Sequence, residues 1–319
     1  MSHAAANEAQ TGLVVKQTGP LALIQDAGRF GVGHLGVTQG GAADWIAFRW
    51  ANWLLGNALN SAALEIVMGG GLSFETECEV RLALTGADLD AQVDDKPLPP
   101  NTSFKLLPGQ RLVFHQPRHG LRAYLAFPGG LNAPEVLGSR ACTAREQFGG
   151  LHEDGKPLNV GDRLTWKGTA PAVRRIPDSQ GPRLPGSSCR LPIVLGSQIA
   201  SFSGRALFQA FNQPWTVDNR ADRMGVRLTG PALYGSLTGI ISEGIPLGAV
   251  QVPPDGQPIV LMNDRQTIGG YPRLGALTPI ACATLAQCLP GTQVWLTPVS
   301  ASQAQYDYRH QLTVWAHRR

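Results

Sequence analysis

A polar stretch at residues 263–273, Asn-Asp-Arg-Gln-Thr-Ile-Gly-Gly-Tyr-Pro-Arg, concentrates groups that could do chemistry. Its eleven residues include one carboxylate, two guanidinium groups, two amides, a hydroxyl and a phenol. An apolar run at 258–262 leads into it, and Gly269 and Gly270 permit a turn with positive φ or a close approach of backbone to a ligand. Polar stretches at 242–244 and 251–256 have the same character. We expect these loops to face one shared cleft, and the alternative is a series of satisfied turns.

Groups of similar chemistry recur along the chain. Arginine binds a carboxylate or phosphoryl group through paired N–H donors, and a carboxyl group can transfer a proton. The candidate catalytic residues are Asp26, Arg29, Glu65, Arg223, Glu243 and Asp264. The candidate substrate-binding residues are Gln25, His34, Asp44, Asn52, Arg140, Arg145, Arg227, Gln251, Gln266, Thr267, Gly269, Gly270 and Tyr271. This set predicts a site for a small anionic or amide substrate, without a metal.

Each candidate also has a purely structural interpretation. Glu65 interrupts an apolar strand at 62–68, where a carboxylate is costly unless it is paired. It is therefore either the partner of an arginine or a functional acid. His34 lies in a glycine-rich loop, where a lone histidine more often has a structural hydrogen bond. Any single arginine is equally explained as the partner of an acid.

Several motifs are incomplete. The run Gly31-Val-Gly-His-Leu-Gly36 matches the dinucleotide pattern, but the next predicted helix starts about eight residues later, so no helix N-terminus would meet a pyrophosphate. No Walker sequence occurs. Residues 240–244 lack the first glycine of a nucleophile elbow. His115 and His119 have the spacing of a helical metal pair, but Pro117 between them breaks a helix.

Composition limits the class of protein. Apolar residues make up 43% of the 319-residue chain and charged residues 16%, which fits packed cores. The net charge of +4 is small and the arginines are scattered, so we expect no nucleic-acid surface. No apolar run reaches membrane-spanning length, the first ten residues lack signal-peptide features, and the five cysteines form no Cys-x-x-Cys. We expect a reduced, cytoplasmic protein.

Short predicted strands dominate the chain, and 38 glycines and 24 prolines supply turns between them. The clearest helix is predicted from Asp44 to Leu55. It is apolar nearly all round, which indicates a buried helix that plugs a barrel mouth or bridges two sheets. A second helix is predicted from Thr278 to Leu289. The sequence predicts an N-terminal barrel at 13–166, a Pro- and Gly-rich linker at 167–190, a C-terminal barrel at 191–299 and a tail at 300–319, for which a helix is one interpretation.

Several motifs, taken in chain order, are similar to one known family. They are Gln25-Asp26-x-Gly28-Arg29-x-Gly31, Gly40-Gly-Ala-x-Asp44, Leu137-Gly-Ser-Arg140, Asp222-Arg-Met-Gly225, Ser242-Glu-Gly, Gln251-Val-Pro-Pro-Asp-Gly-Gln-Pro-Ile259 and Asp264-x-Gln266-Thr-x-Gly-Gly-Tyr-Pro272. Over nearly its full length the chain resembles the KipA or PxpC family, also called allophanate hydrolase subunit 2, which includes carboxyltransferase subdomains. The resemblance implies a mainly β fold of two tandem cyclophilin-like β-barrels with a few short helices.

The resemblance also implies a function. Family members work with a KipI/PxpB-type subunit, and in many bacteria with a PxpA-type subunit, as an ATP-dependent 5-oxoprolinase that opens 5-oxoproline to glutamate. ATP would be shared with a partner subunit. Two other roles exist in the family: biotin-dependent carboxyl transfer to urea or a related amide, and binding of a KipI-type inhibitor of a histidine kinase. None of the five lysines lies in a biotinyl Met-Lys-Met context, so any biotin would be carried by another protein. The chain departs from the family pattern at 141–147 and at 219–221, which leaves the substrate open.

Overall fold

The computed structural model describes residues 11–169, 174–177 and 180–316, and this part of the chain is mainly β. The N-terminal unit contains β1 (Leu13–Gln17), β2 (Leu21–Gln25), α1 (Trp45–Leu54), β3 (Ala63–Val67), β4 (Ser73–Thr76), β5 (Val80–Asp88), β6 (Gln92–Val93), β7 (Lys96–Pro97), β8 (Thr102–Leu106), β9 (Arg111–Val113), β10 (His119–Ala126) and β11 (Arg163–Leu164). The C-terminal unit contains β12 (Ser188–Leu195), α2 (Gly204–Asn212), β13 (Trp215–Val217), β14 (Gly225–Thr229), β15 (Glu243–Gly244), β16 (Ala249–Gln251), β17 (Ile259–Leu261), β18 (Ile268–Gly269), β19 (Arg273–Leu277), α3 (Pro279–Leu285), β20 (Gln293–Val299) and α4 (Ala301–Ala316).

Two antiparallel sheets enclose the core of the N-terminal unit. Their strand orders are β11-β1-β4-β9-β6-β7 and β2-β3-β10-β5-β8. Side chains alternate between the two faces of a strand, and Val15, Phe74, Leu64 and Leu125 meet between the sheets in one buried cluster. The prediction of a mainly β chain is confirmed, although the strands of this unit form two packed sheets where a barrel was predicted.

Helix α1 covers the outer face of the sheet β2-β3-β10-β5-β8. Asp44 caps the helix, because its Oδ1 accepts the N–H groups of Ile46 and Ala47 at 3.1 and 3.0 Å. Ala47 and Phe48 pack against Tyr124 of the sheet, and the helix also meets α3 of the C-terminal unit. The interpretation of this helix as a barrel plug or a bridge between sheets is therefore wrong. It lies between a sheet of one unit and a helix of the other, because small alanines on the sheet surface let it approach closely.

The C-terminal unit is a closed barrel with the strand order β12-β19-β16-β17-β14-β13-β20. The parallel pair β12 and β20 closes it, with Ser188 opposite Gln293. Trp215, Val250 and Leu296 are among the buried residues that fill its interior. The predicted barrel is thus present in this unit.

Boundaries differ in detail from the predictions. The first strand of the barrel begins at Ser188 rather than 191, because its first residues pair with β20. Helix α3 ends at Leu285, four residues before the predicted stop, and α2 was not predicted. Helix α4 occupies most of the C-terminal tail. Of the helices in the described ranges, none is long and apolar enough to cross a membrane.

Candidate functional site

A cleft of about 560 Å³ lies where loops of the two units meet. The N-terminal unit contributes the loop after β2, including Arg29, Phe30 and Gln39. The C-terminal unit contributes the segment after β15 and the residues Arg265 to Ile268. Four residues of the polar stretch, 265–268, therefore line this cleft together with Gly244 and the glycine-rich loop of the other unit, whereas the stretch 251–256 does not line it.

Arg29 is held rigidly on the N-terminal side of the cleft, with 1% of its surface exposed. Its Nε donates to the carbonyl of Val136 at 3.0 Å, its Nη2 donates to the carbonyl of Ala141, and its guanidinium carbon lies 4.6 Å from the centre of the Phe148 ring. Burial lowers the pKa of Arg29. Within the described residues, no carboxylate forms an ion pair with it and its Nη1 has no hydrogen-bond partner.

Arg265 occupies the C-terminal side of the cleft in a similar way. Its Nε donates to the carbonyl of Ile245 at 3.1 Å and its Nη1 to the carbonyl of Met262 at 3.3 Å. Burial lowers the pKa of Arg265 as well. It too has no carboxylate partner in the part of the chain that the structure covers. Two guanidinium groups from different units therefore meet at one cleft, each held by carbonyl oxygens. The carboxylates that act on them, among them Asp26 and Asp264, do so without direct contact.

A buried ion network lies behind the cleft and joins the two units. Arg223 donates from Nη1 to Glu65 Oε1 at 2.6 Å, and from Nε and Nη2 to the two oxygens of Asp264 at 2.9 Å each. Its Nη2 also donates to the carbonyl of Gly41 at 2.7 Å. Glu65 is fully buried, and Arg223 and Asp264 are 7% and 3% exposed. Three predicted catalytic residues therefore meet, but as a buried bridge rather than on the cleft wall.

Within this network the pKa values of the two carboxyl groups, Glu65 and Asp264, shift in opposite directions. Burial alone would raise the pKa of Glu65, but Arg223, Arg122, the Ala43 N–H and the Tyr124 hydroxyl together hold it below its ordinary value. Burial raises the pKa of Asp264, and Arg223 only partly offsets it because the Glu65 charge opposes ionisation. Asp264 is also the chain neighbour of Arg265, which lines the cleft. Both oxygens of Asp264 nevertheless accept from Arg223, so its carboxylate is held in the network and is not presented to the cleft.

Other candidates on the N-terminal side shape loops. The carboxylate of Asp26 accepts from Gly28 N at 2.8 Å, Ser139 Oγ at 2.6 Å and Arg140 N at 2.7 Å. Gln25 bonds the Cys142 carbonyl and the Gly41 N–H at 2.9 and 3.0 Å. Asn52 and Asp44 hold the two ends of α1. Asp26 and Gln25 therefore position the loops beside the cleft, and Asn52 and Asp44 hold α1.

On the C-terminal side, strands β15 and β18 form a two-stranded ribbon beside the cleft, with Glu243 opposite Gly269. Glu243 is bound by Arg273 and by Gln198 Nε2. A Cβ on Gly269 would lie 2.4 Å from Ile245 Cδ1 and 2.8 Å from Gln251 Nε2. The space that a larger residue would need at this position is therefore filled by these two side chains. Gln266 and Thr267 line the cleft directly, while Gly270 follows the ribbon.

The remaining candidates lie elsewhere. Arg140 binds the Ala133 carbonyl and lines a different surface pocket, Arg145 lies 4.0 Å from Glu146, and Arg227 pairs with Asp255 at 3.0 Å. His34 and Tyr271 are exposed and do not line the cleft. The structure does not bring these five residues to the two arginines of the cleft.

Two residues of this region were not among the predicted site residues. Arg265 lay inside the polar stretch, but nothing in the sequence distinguished it from its neighbours. Gln287 is 1% exposed and joins the units: its Oε1 accepts the N–H groups of Leu121 and Arg122 at 3.0 Å, and its Nε2 donates to Asp44 Oδ2 and the Arg122 carbonyl at 2.8 Å. Its position after a short helix gave no signal of this role.

Comparison with known proteins identifies relatives along most of the chain. The family model described as carboxyltransferase domain, subdomain A and B, matches residues 35–298. The chain is 36% identical over 293 residues to the C subunit of 5-oxoprolinase from Escherichia coli, covering 92% of this chain and 93% of the relative. It is 34% identical over 298 residues to the protein of the same name in Haemophilus influenzae, covering 89% and 90% of the two chains.

The crystal structure of the Kluyveromyces lactis urea amidolyase contains a similar fold. It superposes with a TM-score of 0.90 at 26% sequence identity, over 97% of this chain. This chain spans only 20% of that protein, so the similarity concerns one region of a much longer enzyme.

Proposed function

Because this chain belongs to the carboxyltransferase-domain family, we propose that it is the C-type subunit of an ATP-dependent 5-oxoprolinase. The reaction would convert 5-oxoproline, ATP and two molecules of water to glutamate, ADP and phosphate. The proposal includes a KipI/PxpB-type subunit and a PxpA-type subunit as partners, in the cytoplasm. It rests on the two bacterial relatives that are named as the C subunit of 5-oxoprolinase, which cover about nine-tenths of the chain.

The structural observation that supports the proposal is the pair of cleft arginines, whose guanidinium groups are held by carbonyl oxygens and, within the described residues, form no salt bridge. 5-Oxoproline has a carboxylate, and the phosphoryl group of ATP is also anionic. Arg29 and Arg265 are fixed by carbonyl oxygens before any ligand arrives, so little side-chain entropy would be lost on binding. Such preorganised charges stabilise an anion or a developing negative charge.

The chemistry needs activation of the lactam, whose carbonyl is a poor electrophile. Transfer of the ATP γ-phosphoryl group to the lactam oxygen would create a leaving group. Water would then add to that carbon, and the ring C–N bond would break with a proton delivered to nitrogen, which leaves an acyl phosphate. A second water would cleave the acyl phosphate to the glutamate carboxylate and free phosphate. In this chain Arg29 and Arg265 would hold the anionic groups. The proton would come from water or from a partner subunit, because Asp264 is bound by Arg223 in the buried network. No Walker sequence is present, so we assign most of the nucleotide contacts to a partner subunit.

The test is reconstitution with the two partner subunits, measuring glutamate released from 5-oxoproline with and without ATP. We expect release only in the complete mixture with ATP, and a fall of roughly 100-fold or more in kcat/KM for Arg265→Ala, as for loss of a preorganised charge. Arg227→Ala is the matched control, because its exposed pair with Asp255 lies outside the cleft. Absence of ATP-dependent glutamate release from the complete mixture would refute the proposal. Equal activity of the Arg265→Ala variant would refute the role of the cleft.

A second candidate function is carboxyl transfer from biotin to urea or a related amide. It is favoured by the TM-score of 0.90 to the urea amidolyase structure. A carboxyl group on biotin is also anionic and would suit the same arginines, with the biotin carried by another protein. Transfer of labelled carboxylate to urea, with no glutamate from 5-oxoproline, would select this alternative.

A further inference from the structure

Two cysteines approach each other on the wall of the barrel. Cys189 lies near the start of β12, and Cys288 follows α3, 99 residues later. Their sulfur atoms are 3.7 Å apart, which is direct contact. The two sulfurs are thus already adjacent in the folded chain, whereas cysteines far apart could not be joined without backbone movement.

The two thiols differ in accessibility and in charge. Cys189 is half-buried, whereas Cys288 is 3% exposed and also donates to the Thr284 carbonyl. The hydrogen bond between the two sulfurs lowers the pKa of Cys189, and the same hydrogen bond followed by burial raises the pKa of Cys288. Cys189 is therefore the more nucleophilic of the two.

A cleft of about 410 Å³ opens beside the pair. It is lined by Gly186 and Ser187, just before Cys189, and by Gln287 and Leu289, which flank Cys288. A small oxidant that enters this cleft meets residues one to three positions from each cysteine, although neither cysteine itself lines the cleft. The other buried cysteines, Cys142 and Cys282, form no sulfur–sulfur contact among the residues described.

We propose that Cys189 and Cys288 form an oxidative modification site, at which a hydroperoxide converts the two thiols to an intrachain disulfide. The Cys189 thiolate attacks one peroxide oxygen, the O–O bond breaks, and the other oxygen leaves as an alcohol or water after taking a proton. The Cys189 sulfenic acid is then attacked by the Cys288 sulfur, an S–S bond forms, and a second water leaves with the Cys288 proton. Two electrons pass from the two thiols to the peroxide, so the step is balanced.

The modification would act close to the junction of the two units. Cys288 is the chain neighbour of Gln287, whose amide bonds to Asp44, Leu121 and Arg122 of the N-terminal unit. A covalent link between β12 and this segment would therefore tie the barrel wall to the residue that holds the units together. The oxidation of this cysteine pair does not depend on which reaction takes place in the cleft between Arg29 and Arg265.

The experiment uses the full-length reduced protein, treated with hydrogen peroxide and then alkylated with N-ethylmaleimide under denaturing conditions. We expect the number of alkylated thiols to fall from five to three, with the protein otherwise unmodified in mass except for loss of two hydrogens. Trypsin leaves Cys282 and Cys288 on one peptide, 274–309, so the crosslink is mapped in a Cys282→Ser background. The expected product joins peptide 184–190, which contains Cys189, to peptide 274–309.

Cys189→Ser and Cys288→Ala should each abolish the crosslink, and Cys282→Ser should leave it intact. In the untreated protein Cys189 should react with N-ethylmaleimide on the order of tenfold faster than Cys282, which is buried and whose pKa is raised to about 12. The proposal is overturned if five thiols remain after peroxide, if Cys189 advances to sulfinic acid without a crosslink, or if the link joins another cysteine. The count of alkylated thiols uses the wild-type protein, so a variant that fails to fold leaves that measurement decisive.

Discussion

Replacement of Arg223 by alanine tests the buried network that joins the units. The change removes a guanidinium with four hydrogen bonds, to Glu65, to both oxygens of Asp264 and to the Gly41 carbonyl. It leaves two carboxylates, 0% and 3% exposed, without their shared cation. Removal of one partner from a buried ion pair typically costs about 3–5 kcal/mol. We expect a loss of that size in the free energy of unfolding at pH 7.

The assay is denaturant unfolding of the wild-type protein, Arg223→Ala, Glu65→Gln and the double variant at constant ionic strength. Because Arg223 and Glu65 contact each other, the losses should not add, and the double variant should be more stable than the sum predicts by about 1–3 kcal/mol. Arg227→Ala, whose partner Asp255 is exposed, is the matched control and should change stability by about 0.5 kcal/mol or less.

The pH dependence gives a second check of the same reasoning. In the wild-type protein the pKa of Glu65 is lowered, so its contribution to stability is present above the unfolded value of 4.5 and is lost as the pH falls through the folded pKa. Without Arg223 the buried carboxyl loses its main charge partner and its folded pKa should rise. Stability of Arg223→Ala should then increase as the pH falls towards 4.5. The network would be refuted as an energetic link between the units by either of two results. One is that Arg223→Ala lowers the free energy of unfolding by less than about 1 kcal/mol, and the other is that the losses of Arg223→Ala and Glu65→Gln add strictly in the double variant.

Three further predictions concern the surroundings of the cleft. Burial raises the pKa of Asp44 to about 6 from 3.8, so its ionisation should cost the wild-type protein on the order of 3 kcal/mol as the pH rises from about 4 to 7. Asp44→Asn should flatten that part of the stability profile, and an unchanged slope would contradict the assignment. Gln287→Leu should destabilise the protein by about 3–5 kcal/mol in denaturant unfolding, because four buried polar partners lose their hydrogen bonds. Gly269→Ala should lower the free energy of unfolding by about 1–2 kcal/mol and alter the reconstituted activity, because the added methyl group displaces Ile245 into the cleft. A variant with unchanged stability and activity would show that the ribbon has room for the methyl group.

Local sequence patterns were sufficient to predict the class of fold and several of its secondary-structure elements. Short apolar runs with frequent turn residues predicted a mainly β chain, and Asp44 with the following apolar residues predicted α1 to within one residue of its observed limits. The resemblance to the carboxyltransferase family is confirmed by the family match and by the Escherichia coli relative. These features depend on short stretches of sequence, and for that reason the sequence was enough to predict them.

The arrangement of the polar residues could not be predicted in the same way. Glu65, Arg223 and Asp264 looked like candidates for a cleft wall, and the structure places them in a buried bridge behind it. Conversely, Arg265 was recognised as a site residue only from the structure, which shows that its hydrogen-bond partners are carbonyl oxygens and not carboxylates. Whether a charged side chain is paired depends on residues more than a hundred positions away, as with Glu65 and Arg223.

The sequence alone determined the strand-rich character of this protein, its helix cap and the supply of arginines, acids and glycines, because propensity and turn chemistry act between near neighbours. Only the tertiary structure decided which of those charges are neutralised and which remain free. Burial and ion pairing depend on distances across the junction of the two units, and these distances exist only once the chain has folded.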